Sequence, residues 1–423
     1  MIKNDGKLYI EKHTFTEWLT IYIFAIPFML SFVIDFLSVP SFFKYTLDLC
    51  WVTVLAIMTF RKTWRIEKRL TPFIIQMVVW LLYTLIVYLF NFQSVFYFLW
   101  GFRNLFRFYV GFLAFAMFFR EDMAKSALKA MDWMFWLNVA VSLYQFFVMG
   151  LKQDYLGGIF GVERGCNGYS TVFFILVVSK SVLSYMEGKE KAWLCLVKSA
   201  AVLLVAAIAE LKFFFVIFVV ILTMAAMLTK FSWRKYGLIL ITLVILMVAN
   251  TVLTIIFGQG QTLSVGRIID LIFSANYAST EDLSRFSAIP TISRSFLTTI
   301  PEKLFGMGLG NADTSAFAIC NTPFFEAYGD LHYSWFNSAF LFLETGYIGL
   351  LLYLTFFVIA FFTAVKIYKN GSGDKLFCQM AIIYSVMCVL LTFYNSTLRR
   401  ECALIAYFVL ALPIISEKAK NNL

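Results

Sequence analysis

The sequence predicts an all-α polytopic membrane protein with about twelve transmembrane helices. Hydrophobic residues make up 61% of the 423 residues, charged residues make up 14%, and the mean hydropathy is +0.80. Soluble domains contain roughly 45–50% apolar and about 25% charged residues. Apolar runs of about 18–20 residues recur along the chain, the length that a helix needs to cross a hydrocarbon core of roughly 30 Å. A β-barrel is excluded because its strands would alternate polar and apolar residues.

Twelve apolar segments follow one another, so both chain termini are expected on the same side of the membrane. Lys3, Lys7 and Lys12 precede the first segment and no small-residue cleavage site follows, which predicts a retained anchor. The predicted spans are residues 18–38, 44–60, 71–91, 96–119, 129–149, 168–187, 193–209, 212–229, 236–257, 346–368, 376–395 and 402–416.

The distribution of basic residues predicts that both termini are cytoplasmic. With this orientation the inner segments, such as RKTWRIEKR (61–69) and KIYKNGSGDK (366–375), hold most of the 35 lysines and arginines. Short cytoplasmic loops of bacterial membrane proteins carry this excess. The net charge of +10 is therefore attributed to these loops, and a nucleic-acid partner is not expected.

Basic residues on the outer side oppose this bias and are therefore candidate functional groups. They are Lys44, Arg103, Arg107, Lys152, Arg164, Lys212, Arg267, Arg285, Arg294, Lys303, Arg399 and Arg400.

Residues 258–345 are the one long connection and predict a folded extracytoplasmic cap between helices 9 and 10. Loops above about 12–15 residues in compact proteins are usually functional or disordered. The stretches LSVGRIIDLIF and LSRFSAIPTISRSFLTTI have amphipathic helical spacing, which indicates order. The chain is thus divided into residues 1–257 with helices 1–9, the cap, and residues 346–423 with helices 10–12 and a cytoplasmic tail.

Two outer segments before the cap contain candidate anion-binding residues. Lys212 lies in the tight turn of IAELKFFF, where it either binds an anion or snorkels to the surface beside Glu210. Arg164 lies in the glycine-rich segment DYLGGIFGVERGCNGYS and either neutralises an anion or is simply solvated. Cys166 of the same segment and Cys320 of the cap lie on the same side, so a disulfide between them is one alternative.

Arg285 and Arg294 are the candidate phosphate ligands of the cap. Arginine suits this role because its planar fork binds phosphate in a bidentate manner and keeps its charge. Nine residues of ideal helix would put the two on opposite faces, but Pro290 between them can kink the helix. The alternative is that one of them contacts lipid headgroups.

His332, one of only two histidines, lies in YGDLHYSWFN before an apolar helix that is expected to stop at Gly346. It is either a structural residue or a group that orients or deprotonates a sugar hydroxyl near neutral pH. Alternative bases on the same side are Asp313, Glu326 and Asp330. No metal-ligand spacing is present, and the glycines of FGMGLGNAD lack the context of a nucleotide loop.

The chain resembles the O-antigen polymerase and O-antigen ligase superfamily of bacterial membrane enzymes. The resemblance rests on GGIFG (157–161), Lys212, Arg285 with P-x-x-L-F-G-M-G-L-G (301–310), and His332 followed by ETGYIG (344–349). It covers most of the chain and implies a C-type membrane glycosyltransferase fold. Two departures are Glu210 before Lys212, where a small hydroxyl residue is usual, and the five-residue separation of His332 from Asn337.

The resemblance implies a metal-independent, inverting glycosyltransferase without cofactors that works outside the bacterial cytoplasmic membrane. A composition rich in Lys, Ile, Phe and Asn, typical of AT-rich genomes common among capsule producers, favours a polysaccharide polymerase over a ligase. Such a polymerase would transfer a growing O-antigen or capsule glycan from undecaprenyl (polyprenyl) diphosphate to a lipid-linked repeat unit. Lys212 and Arg285 would hold the diphosphate, with Arg294 and Arg164 as weaker candidates, and His332 would face the acceptor. A chain-length regulator and a flippase are candidate partners. The alternatives are a ligase with another acceptor and a lipid-linked oligosaccharide transporter.

Overall fold

A computed structural model shows that the chain is built almost entirely of helices. It describes residues 2–4, 7–9, 14–37, 39–60, 68–230, 287–315 and 317–421, together with Trp233, Gly237, Thr251, Leu283 and Arg285. Near the N-terminus, β1 (Ile2–Asn4) and β2 (Lys7–Tyr9) pair in antiparallel fashion, with Ile2 opposite Tyr9.

Fourteen α-helices follow within the described ranges, and several short 3₁₀ turns connect them. The helices are α1 (Phe15–Leu37), α2 (Thr46–Phe60), α3 (Thr71–Asn91), α4 (Val95–Phe118), α5 (Glu121–Phe147), α6 (Asn167–Met186), α7 (Ala192–Ile208), α8 (Lys212–Leu228), α9 (Ala288–Ser295), α10 (Ile300–Phe305), α11 (Pro323–Tyr328), α12 (Asn337–Asn370), α13 (Lys375–Tyr394) and α14 (Ala403–Asn421).

The helices confirm the prediction of a helical membrane protein. Six of those described are long and apolar enough to cross a membrane, namely Phe15–Leu37, Phe42–Phe60, Thr71–Asn91, Asn167–Met186, Asn337–Asn370 and Lys375–Tyr394. Large apolar side chains such as Leu82, Leu89 and Leu351 are exposed on the outer faces of these helices. Such faces are stable against hydrocarbon and unfavourable against water. The predicted ninth span, 236–257, lies outside the described residues apart from Gly237 and Thr251.

Two helices begin earlier than the predicted spans do. Helix α5 begins at Glu121 rather than near 129, because its first turns carry the charged stretch EDMAKSALK, which a hydropathy pattern leaves out. Helix α12 begins at Asn337 and runs through the predicted stop at Gly346, where its backbone is non-helical. The apolar turns before that break are the short helix that the sequence predicted.

Helix α14 forms the centre of the bundle. Residues 402–417 are all buried, and the helix packs against α1, α4, α12, α13 and α6. A helix that is apolar all round belongs in such a position, whereas α1 to α3 bury only one face. The cavity described below lies at the N-terminal end of α14, whose first residues follow the sequence TLRRE.

The glycine-rich loop 306–310 packs against the break in α12. Its amides of Met307 and Gly308 donate to the carbonyls of Leu343 (3.0 Å) and Glu344 (2.9 Å). On the other side, a Cβ on Gly310 would collide with the carbonyl oxygen of Tyr97 in α4. The glycines of this loop therefore serve close backbone packing within the protein.

Candidate functional site

A cavity of about 500 Å³ lies where five loop regions meet. This volume is in the range of small-molecule sites. The sequence predicted that all five regions are extracytoplasmic, and the cavity brings them to one end of the molecule. Its lining residues are Leu30, Ser31, Ile34, Asp35, Lys44, Asp154, Phe160, Glu163, Arg164, Gly165, Cys166, Asn167, Gly168, Tyr169, Glu210, Leu211, Arg285, His332, Trp335, Phe336, Tyr394, Asn395, Ser396, Thr397, Arg400 and Glu401.

The GGIFG segment contributes Phe160 to the cavity lining and is fixed by buried side chains of α5. Gln145 accepts from the amide of Gly158 at 2.7 Å and donates to its carbonyl at 2.9 Å, and Asn138 accepts from the amide of Ile159 at 2.9 Å. Gly158 has a positive φ of 63°, and a Cβ there would collide with Asn138. On the far side, Asp35 of α1 accepts from the amide of Val162 at 2.9 Å. These contacts fix the motif beside the cavity, where it carries Phe160 and the lining residues that follow it.

The turn between α7 and α8 also lines the cavity. Asn167 connects it to the glycine-rich segment by donating to Asp154 (3.2 Å) and to the carbonyl of Ala209 (3.0 Å). Glu210 lines the cavity, and the amine of Lys212 lies 3.6 Å from the Glu210 carboxylate. Lys212 is next to the cavity rather than among its lining residues, and its charge is shared with Glu210.

Arg164, Trp335 and His332 form a stack at the cavity. The His332 imidazole lies on the Trp335 indole with ring centroids 3.9 Å apart and planes inclined by 26°. The Arg164 guanidinium lies 5.3 Å from the same indole. His332 has a left-handed backbone, with φ of 53°. The indole thus orients two residues that the sequence predicted as functional.

Arg285 enters the cavity from the cap. Its Nε donates to the carbonyl of Tyr394 at 3.1 Å, and its guanidinium lies 4.8 Å from the ring of the same residue. Helix α9 begins at Ala288, after Arg285, and Pro290 lies in its first turn, where proline is tolerated. Arg285 and Arg294 are therefore not separated by a kinked helix, and Arg294 is exposed and absent from the cavity lining.

The three alternative bases lie outside the cavity lining. Glu326 and Asp330 are exposed. Asp313 is buried and held by two partners, since Asn104 donates to it at 2.8 Å and the Arg399 guanidinium lies 3.5 Å away. Of the candidate proton acceptors named from sequence, only His332 faces the cavity.

Arg400 and Glu401 line the cavity, although no specific role was assigned to either from the sequence. They lie in the short connection between α13 and α14, and both basic residues of TLRRE had been assigned to the outer side. Arg107 of α4, only 7% exposed, lies 3.0 Å from Glu401. Burial alone would raise the pKa of Glu401, but Arg107 and then Arg400 outweigh it and lower that pKa below its usual value. Glu401 is therefore ionised at neutral pH.

The cavity lining carries four cationic side chains and five carboxylates. Most of these carboxylates have partners inside the protein, as described above for Asp35, Asp154, Glu210 and Glu401. Arg164, Arg285 and Arg400 also line the cavity. The arrangement can hold an anion even though the formal charges nearly balance.

Cys166 lines the cavity but has no role as a nucleophile or a disulfide partner in this structure. Its thiol and that of Cys320 are both free. Burial, together with Asp35, raises the pKa of the Cys166 thiol to about 12, so the thiolate is not populated near neutral pH. Among the described residues, no three His, Cys, Asp or Glu side chains are grouped as metal ligands would be.

Comparison of the chain with models of protein families and with curated proteins gave no match. The class that the fold defines is a helical membrane protein, and its function has to be argued from the cavity.

Proposed function

We propose that the protein is a membrane glycosyltransferase that polymerises a polysaccharide from a polyprenyl-diphosphate-linked glycan. One observation carries the proposal. Arg164, Arg285 and His332, which come from three separate segments and were selected from sequence, line the same cavity. The finer architecture belongs to the same proposal, namely twelve spans, a cap between helices 9 and 10, cytoplasmic termini and an extracytoplasmic cavity in a bacterial cytoplasmic membrane.

The proposed reaction needs charge stabilisation more than covalent chemistry. The acceptor hydroxyl oxygen attacks the anomeric carbon, the bond from that carbon to the diphosphate oxygen breaks, and the sugar configuration inverts. Negative charge then grows on the departing polyprenyl diphosphate. Arg285 and Arg164 are placed to stabilise it, and fixed cationic donors in a partly enclosed site commonly provide the largest contribution of this kind.

His332 is the proposed proton acceptor. An imidazole nitrogen can take the hydroxyl proton as the new bond forms. Its stacking on Trp335 fixes the ring plane. Lys212 is assigned a secondary role, because it reaches the cavity only through its neighbour Glu210.

The apolar side of the cavity supports a lipid-linked substrate. Leu30 and Ile34, one turn apart on α1, line the cavity. Helix α1 is among the helices long and apolar enough to span the membrane. We propose that the isoprenoid chain leaves the cavity along this helix while its diphosphate stays near the arginines.

The test is a reconstitution of the purified protein with lipid-linked repeat units in liposomes, with products separated by electrophoresis. A ladder of chain lengths without added nucleotide supports a polymerase. A single transfer to lipid A core or to a wall acceptor identifies a ligase instead. Movement of the lipid-linked glycan across the bilayer with no new glycosidic bond overturns the enzyme proposal in favour of a transporter.

A further inference from the structure

Arg400 differs from the other cations that line the cavity. Arg164 lies over Trp335, Arg285 donates to Tyr394, and Lys44 lies 5.5 Å from the Tyr45 ring. The Arg400 side chain makes no hydrogen bond, ion pair or ring contact with any residue in the described part of the chain, although it is exposed to the cavity. Its guanidinium keeps its charge at any working pH.

The carboxylate next to Arg400 is hydrogen-bonded to another arginine, so it acts on Arg400 only through its charge. Glu401 follows directly in sequence and lines the same cavity, yet its Oε1 is 3.0 Å from Nη1 of Arg107. Arg107 also donates to the carbonyl of Arg399 at 3.3 Å, and its guanidinium lies 4.7 Å from the Phe108 ring. These contacts fix the Arg107 side chain, and the Glu401 carboxylate is directed towards Arg107.

A second ion pair keeps the next arginine of α4 away from Glu401. Arg103 binds Asp48 of α2 in a bidentate manner, with distances of 2.9 and 2.7 Å. Of these two arginines of α4, Arg107 is therefore the one that is hydrogen-bonded to Glu401. After Arg107, Arg400 is the cation that acts most strongly on the Glu401 carboxylate, so we expect Glu401 to neutralise Arg400 when Arg107 is removed.

We propose that Arg400 is an anion-binding residue of the cavity and that Arg107 is a positioning residue that keeps Arg400 available by engaging Glu401. The anion is a phosphate or diphosphate group, because an unpaired guanidinium fork matches its oxygens in a bidentate manner. The assignment of this group to a lipid-linked glycan donor rests on the proposed function. The assignment of Arg400 as its ligand is independent of the proposed function.

Binding to the purified full-length protein in a neutral detergent tests the proposal. The probes are inorganic diphosphate, a short isoprenyl diphosphate, and phosphatidylglycerol in mixed micelles. We expect Arg400→Gln to weaken binding of a diphosphate by about 10- to 100-fold, since one charge-assisted hydrogen-bonding group is lost. The affinity of Arg400→Lys should lie between those of wild type and Arg400→Gln, because lysine keeps the positive charge and loses the bidentate guanidinium. Lys152→Gln, at an exposed lysine outside the cavity lining, is the control.

The role of Arg107 is tested by a pair of variants. Arg107→Gln should weaken diphosphate binding, because the released Glu401 carboxylate then neutralises Arg400. Arg107→Gln combined with Glu401→Gln should bring the affinity back to within about threefold of wild type, because Arg400 is free again. A merely structural role for Arg107 would leave the double variant as weak as the single one. Thermal melting of each purified variant shows whether it is folded.

The outcomes separate this proposal from the proposed function. Equal loss of inorganic and isoprenyl diphosphate in Arg400→Gln supports a site for the free anion, and loss of the isoprenyl form alone supports a lipid-linked ligand. Wild-type affinity for both diphosphates in a folded Arg400→Gln variant overturns the proposal, as does binding of phosphatidylglycerol only. Arg400-dependent binding without polymer formation would leave this proposal standing and refute the polymerase.

Discussion

Gln145 and Gly158 exchange two hydrogen bonds inside the protein, with the Gly158 amide 2.7 Å from Oε1 and the Gly158 carbonyl 2.9 Å from Nε2. Gln145 is fully buried, so its side chain replaces the water that a loop backbone would otherwise bind. Gln145 of α5 thus satisfies both backbone hydrogen-bonding groups of Gly158, a residue constrained by its positive φ.

Replacing Gln145 tests how strongly this pair fixes the GGIFG segment. Gln145→Met keeps the length of the side chain and leaves the donor and acceptor of Gly158 unsatisfied. We expect a loss of about 1–3 kcal/mol in stability, measured by thermal or denaturant unfolding in detergent. Gln153→Met, at an exposed glutamine of the same connection, is the control and should stay within about 0.5 kcal/mol of wild type. Equal effects at both positions would contradict the assigned role of Gln145.

The two arginines of the cap should differ in their effect on catalysis. Arg285→Gln should lower the rate of polymer formation by about 10²–10³-fold, because Arg285 lines the cavity where charge develops. Arg294→Gln should change the rate by less than about threefold, because Arg294 is exposed and outside the lining. The readout is the initial rate of ladder formation in liposomes at matched protein levels. A larger loss for Arg294 than for Arg285 would refute this site.

His332 requires a substitution that preserves its backbone. Its φ of 53° is tolerated by Asn better than by most residues, so His332→Asn removes the imidazole with little added strain. We expect polymer formation to fall by about 10²–10⁴-fold while binding of a diphosphate stays close to wild type. Loss of binding and rate together would mean that His332 positions the donor and does not accept a proton.

The Arg107–Glu401 pair predicts a specific acid sensitivity. The folded-state pKa of Glu401 lies below its usual value, so the stabilisation by this carboxylate is complete above its unfolded pKa of about 4.3. It is lost as the pH falls through the lower folded value. Each unit between the two values is worth about 1.4 kcal/mol.

The measurement compares wild type with the Arg107→Gln, Glu401→Gln double variant. The stability of wild type relative to the double variant should decrease between pH 7 and the lowest pH at which both remain soluble. The double variant has no carboxylate at position 401. Its stability at each pH therefore gives the contribution of all other carboxylates, which is subtracted from that of wild type. A stability difference that stays constant with pH would contradict an ionised Glu401.

The sequence was sufficient for the membrane class and for much of the helix pattern, because hydrocarbon imposes long apolar runs. It failed at the amphipathic start of α5, where charged turns continue a helix that hydropathy alone ends early. The predicted helix around Arg285 and Arg294 was placed too early, since α9 begins only at Ala288. Helix ends depend on local backbone contacts that composition does not encode.

The candidate site was predictable where charge opposed the topological bias, as for Arg164 and Arg285, and where a rare residue type stood beside an apolar helix, as for His332. Arg400 satisfied the criterion of a basic residue on the outer side, but no motif in the sequence gave it a role. Its availability depends on Arg107, nearly three hundred residues earlier in the chain and brought near by the packing of α4 on α14. Contacts of this range come from tertiary structure and cannot be inferred from spacing along one sequence.

The break in α12 has a consequence for protein engineering. Replacing a glycine within a helix by alanine is a standard way to gain stability. At Gly346 the exchange should do the opposite, because φ is 63° and a Cβ would collide with the carbonyl oxygen of Leu304. In a straight helix the carbonyls of Leu343 and Glu344 would accept from helix amides instead of those of Met307 and Gly308. Stabilised versions of this protein must therefore keep the bend, and improvements to helix propensity belong on either side of it.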